Sequence, residues 1–120
     1  MGTTGGLSSS PQWHNASMDR EAIDVELQRI NALALWDFEA APVVEGMLLI
    51  LGSNDFTYSH YLEVEFHGVT FTNVPERFSH AQFQVDRQEI VWVDAESEMY
   101  QIRAASLTVR IGRVSYTTQR

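Results

Sequence analysis

The side chains that could do chemistry gather between residues 55 and 80. Glu63, Glu65 and His67 recur at every second position, so on an extended strand two carboxylates and an imidazole share one face. That is the donor set of a divalent-metal site, but it is equally an ordinary solvated strand face. His60 and His80 could complete a ligand set only if their loops converged, and the chain has no HExxH, Asp-rich calcium loop or spaced His pair. Ser59 and His60 with Asp55 have the residue types of a hydrolase triad. Neighbours on an extended chain point to opposite faces, however, and the G-x-S-x-G elbow is absent. No glycine-rich phosphate loop occurs outside the N-terminal tail, and nothing singles out two of the 16 acids as a glycosidase pair. The sequence therefore predicts no catalytic residue, no metal and no cofactor. More informative is the aromatic run Phe56, Tyr58 and Tyr61, with Phe78 nearby in sequence. Those rings are either core or, where exposed, a recognition patch. The candidate binding residues are Phe56, Tyr58, His60, Tyr61, Glu63, Glu65 and His67.

Composition narrows the partner. The chain has 120 residues, 44% of them hydrophobic, enough for a core without staples, and no cysteine, so disulfides and thiol chemistry are excluded. Net charge is −8, and every basic residue is Arg, a bias expected of a GC-rich bacterial genome. All 16 acids lie at or before Glu98 with four Arg, giving −12; residues 99 to 120 carry four Arg and no acid, giving +4. An acidic chain without a basic cluster is a poor ligand for nucleic acid. The C-terminal Arg set is expected to complement acids in the same sheet. The N-terminus lacks the charged and apolar regions of a secretory signal, and the longest apolar run, Met47 to Leu51, is too short to span a bilayer. A cytoplasmic protein without membrane contact is expected.

The elements that would position these residues are mainly strands. YLEVEFHGVTFTNV, residues 61 to 74, alternates apolar and polar and predicts a hairpin turning at His67-Gly68, with Phe66 opposite Val69 and Val64 opposite Phe71. A single strand bulged at Gly68 is the alternative. Leu107, Val109 and Ile111 predict a second hairpin turning at Gly112-Arg113, with Ile111 opposite Val114. Met47 to Leu51 predicts a central strand covered on both faces, followed by a turn at Gly52 to Asp55. Phe83 to Val85 and Ile90 to Val93 pair across Asp86 to Glu89, and Asp94 to Glu98 is an acidic loop. Residues 18 to 33 favour a helix, with a stripe of Ile23, Leu27, Ile30 and Ala34 capped by Ser17, although Ile23, Val25 and Leu27 also alternate as a strand would. Residues 1 to 16 form a disordered or extended tail in which Trp13 could anchor. The fold expected over residues 17 to 120 is mainly β: an antiparallel meander of about seven short strands, a small sandwich or partly closed barrel, with one N-terminal helix.

The segment LEVEFHGVTF, within residues 61 to 78, resembles a pattern of small uncharacterised bacterial β-rich proteins, some of them immunity or accessory proteins of toxin systems. The resemblance carries no catalytic residue. Together these features predict a non-enzymatic adaptor or immunity-like interaction domain binding a basic protein partner. The second reading is a small-ligand-binding or minor enzymatic barrel-like domain with a pocket near residues 56 to 61 and 78. The third is a homo-oligomer paired through sheet edges.

Overall fold

The computed structural model describes the backbone of residues 12 to 16 and the whole of residues 19 to 116. Ten strands and one helix occur among them, in chain order β1 (Gln12–Ala16), α1 (Arg20–Ala32), β2 (Asp37–Ala40), β3 (Met47–Ser53), β4 (Ser59–His67), β5 (Phe71–Thr72), β6 (Arg77–Ser79), β7 (Gln82–Val85), β8 (Val91–Ala95), β9 (Glu98–Arg103) and β10 (Ser106–Ser115). The strands make two sheets, antiparallel throughout, of order β1-β10-β4-β3-β2-β6 and β5-β9-β8-β7. Sequential meanders are confined to β2-β3-β4 and β7-β8-β9. Both sheets and the helix contribute to one buried cluster, so the mainly β fold expected from the sequence is an open two-sheet structure with one helix.

The helix forms where the 3.6-residue stripe demanded it. Ile23, Leu27 and Ile30 are buried, and Asp19 caps the first turn by accepting the Glu21 N–H at 3.0 Å. Ala34, expected on the stripe, is exposed beyond the C-cap at φ 51°. Ser17, the expected cap, lies outside the described residues, as do residues 1 to 11 and the side chain of Trp13. The helix also closes a sheet edge. The Asn31 side chain donates to the Phe83 carbonyl and accepts its N–H, both at 2.8 Å, filling the outer side of β7 where a further strand would otherwise pair.

The hairpin expected at His67-Gly68 does not form. β4 is a strand as expected, but its partners are β3 on one side and β10 on the other. At Gly68, φ +66°, the chain leaves the larger sheet; Val69 donates to Gly46, Thr70 donates to Arg103, and β5 pairs with β9 in the smaller sheet. The second expected hairpin is likewise one strand. β10 runs continuously from Ser106 to Ser115 and takes up Gly112 and Arg113 as a bulge, since Ile111 faces Leu62 and Val114 faces His60. Tight turns occur instead at Glu45-Gly46, closing the Val44–Met47 bridge, and at Glu96-Ser97, between paired Ala95 and Glu98. All four turn residues have positive φ, as a two-residue type I′ turn requires.

β3 is central but covered on one face only: Leu48 and Ile50 are buried, while Met47, Leu49 and Leu51 are half-buried on the other side. Gly52, expected in a turn, is inside this strand. A Cβ there would stand 2.8 Å from Leu35 Cδ1 and 3.1 Å from both Leu62 Cδ2 and Phe38 Cε2. Gly52→Ala is therefore expected to destabilise the fold by ~1–3 kcal/mol through overpacking, read as a shift in the urea midpoint. Glu96→Asn with Ser97→Gly, which suits the turn's positive φ values, should raise stability by roughly 0.5–1 kcal/mol on the same axis.

Candidate functional site

The outer face of the larger sheet is ordered by its register. Arg77, Glu39, Leu51, Glu63 and Arg110 are successive cross-strand partners on β6, β2, β3, β4 and β10, so one row crosses five strands with an Arg–Glu pair on either side of a single leucine. The Arg110 Nη1 donates to Glu63 Oε1 at 3.0 Å, and Arg77 Nε stands 3.8 Å from Glu39. Arg110 thus complements an acid in its own sheet, as expected of the C-terminal arginines.

Glu63 is also one end of a clasp. Its Oε2 lies 2.7 Å from His60 Nε2, and His60 Nδ1 meets the Tyr116 hydroxyl. A carboxylate only accepts, so Nε2 donates to Glu63, and in the neutral imidazole Nδ1 is then the acceptor for the Tyr116 O–H. His60 is 6% exposed with both ring nitrogens engaged. Neither ring nitrogen addresses Ser59 or Asp55, and the triad has no geometry here. Burial, first, and the nearby charges of Glu39 and Glu63 push the Tyr116 phenol above its usual pKa.

The clasp positions a loop. Tyr116 N–H donates to the Tyr58 carbonyl at 2.8 Å, tying the end of β10 to residues 54 to 58 between β3 and β4. That loop is fastened internally as well. Buried Ser53 Oγ donates to the Ser59 carbonyl at 2.6 Å and accepts the Asp55 N–H at 2.9 Å, while Asp55 Oδ1 accepts the Thr57 N–H at 2.9 Å. Asn54 Oδ1 accepts the Trp36 N–H at 2.9 Å, and the Trp36 indole lies 5.5 Å, centroid to centroid, from the His80 ring.

On this end of the sheet opens a cleft of about 380 Å³ between the 54–57 loop and strands β2 and β6. Its lining includes Asp37, Glu39, Asp55, Phe56, Arg77 and Phe78. Next to it in sequence stand Trp36, 60% exposed, and Tyr58, 58% exposed.

The expected candidates separate on this frame. Phe56 lines the cleft and Tyr58 is exposed at its loop. His60 and Glu63 are joined in the clasp, and Tyr61 is half-buried against the core. Glu65 and His67 form their own pair at 3.4 Å, with His67 Nε2 also 3.1 Å from Thr108 Oγ1. No group of three or more His, Cys, Asp or Glu side chains among the described residues is placed to hold a metal ion. Phe78 is buried and stacked on Phe38 at 5.3 Å, so of the pocket expected at 56 to 61 and 78, Phe56, Thr57 and Phe78 line the cleft that exists. Trp36, Asp37, Glu39 and Arg77 were not singled out from the sequence; they lie far from residues 56 to 61 along the chain and meet them only through pairing. Exposed Trp36 beside a strand start was the one local signal. No family model, curated protein or solved structure matches the chain.

The clasp predicts an alkaline signature. With a raised folded pKa, the stability contributed by protonated Tyr116 is present below the unfolded value of about 10 and is lost as pH rises through the folded value. Phenolate absorbance should show a component that ionises above the usual tyrosine value. Tyr116→Phe should remove that component, and Glu63→Gln should lower its midpoint.

Proposed function

We propose that this is a non-enzymatic interaction domain that binds a basic protein partner through the loop end of its larger sheet. The observation that carries the reading is the exposure of Trp36 and Tyr58 on backbone that is otherwise held fast by hydrogen bonds. Large rings presented on an ordered loop supply contact area at little entropic cost, and Trp and Tyr dominate the energetics of interfaces. A net charge of −8 favours encounter with a cationic partner. The occupied nitrogens of His60 speak against general-base chemistry at this buried histidine. An adaptor or immunity-like neutraliser in a bacterial cytoplasm is the role consistent with this chemistry and with the resemblance over residues 61 to 78. No helix among the described residues is long and apolar enough to cross a membrane. A second reading, a small-ligand site, is favoured by the cleft, whose volume falls within the range of ligand pockets.

The test is retention from a lysate of the source organism at low and high salt, wild type against Trp36→Ala/Tyr58→Ala, with the retained protein then purified for titration. Each substitution should weaken binding by roughly 1–4 kcal/mol while circular dichroism is unchanged, and high salt should reduce retention. Equal affinity of the double variant for the purified partner would refute this interface.

A further inference from the structure

We infer that the cleft under the 54–57 loop receives an arginine or lysine side chain of the partner. This inference rests on the reading of that end as the partner-binding face and adds the chemistry that the cleft selects. Three carboxylates line it, Asp37, Glu39 and Asp55, against the single guanidinium of Arg77. Arg77 does not fill the space: its side chain is 79% exposed and reaches Glu39 only at 3.8 Å. Asp37 and Asp55 each commit one oxygen to the fold, Oδ1 accepting from Ser79 Oγ at 3.0 Å and from the Thr57 N–H at 2.9 Å respectively. Among the described residues their Oδ2 atoms accept no hydrogen bond, so each keeps an acceptor for an incoming donor.

The half-buried ring of Phe56 lines the same space and provides an aromatic face for a cation. Carboxylate pairs with a planar or compact cation give charge-assisted bonds stronger than neutral ones. An anionic group would meet three like charges against one guanidinium here, and a purely apolar one would supply no donor to the Oδ2 atoms of Asp37 and Asp55. The cleft is open to solvent, which suits the tip of a long side chain whose backbone stays outside, beside Trp36 and Tyr58.

The probes are the capped tripeptides acetyl-Gly-Arg-Gly-amide and acetyl-Gly-Lys-Gly-amide, with acetyl-Gly-Glu-Gly-amide as the contrast, titrated into the ¹⁵N-labelled full chain. The expected result is saturable shifting of amides at residues 37 to 39, 54 to 57 and 77 to 79 by the Arg or Lys peptide and not by the Glu peptide. Asp37→Asn with Asp55→Asn keeps the hydrogen bonds from Ser79 and Thr57 and should weaken that binding by about tenfold or more. Diffuse, non-saturating shifts, equal response to the Glu peptide, or unchanged affinity in the double Asn variant would each overturn the inference. Those failures leave the interface reading to stand or fall on the Trp36 and Tyr58 variants, which do not alter the cleft's carboxylates.

Discussion

Strand β4 is paired on both sides along most of its length, and its strict alternation decides what each face of the larger sheet can be. Leu62, Val64 and Phe66 point inward and are sealed, each meeting an apolar or glycine partner on β3 and an apolar partner on β10. Gly52 opposite Leu62 is the thin point in that layer, and it is glycine because the rings and methyls of Leu35, Phe38 and Leu62 already fill the space of a side chain. The residues between them, Glu63 and Glu65, have to face outward, and the register then sets Glu63 between Leu51 and Arg110. A slip of one residue would turn the core stripe to water and bring the carboxylates inside, so the register is tightly specified.

From that outward row the candidate site follows. Glu63 holds Arg110 and His60, His60 holds Tyr116, and Tyr116 holds the backbone at Tyr58. The histidine is a two-ended hydrogen-bonding spacer between Glu63 and Tyr116. What the clasp achieves is order in the loop between β3 and β4, so that the exposed Tyr58 is presented on backbone held by hydrogen bonds. The cleft lies where two chain segments distant in sequence, β2 with β6 and the 54–57 loop, meet at one sheet end.

Glycines illustrate how a local signal can mark the wrong event. Gly68 and Gly112 each sit between two apolar-alternating stretches, the pattern of a hairpin. In the protein, Gly68 is where the chain changes sheet and Gly112 lies in a bulge. The closest hairpin of the smaller sheet turns at Glu96-Ser97, which carries neither Gly nor Asn yet holds positive φ at both residues. The β8–β9 ladder and the burial of Val91, Val93, Ala95 and Ile102 in the core hold that turn against its local preference.

The sequence alone determined that the protein is mainly β, that residues 18 to 33 favour a helix over the strand they also permit, and that Leu62, Val64 and Phe66 belong inside, because side-chain period and burial preference are local properties of the chain. It also determined the acidic balance and the absence of thiol chemistry. Which strand lies beside which was decided only in three dimensions, since the same alternation on β4 is satisfied by the next segment along or by strands from elsewhere in the chain. Burying both backbone edges of β4 between β3 and β10 protects more apolar surface than a local hairpin could. Trp36, Asp37 and Tyr116 join the site only as a result of that choice, and no spacing in the sequence places them beside Phe56 and His60.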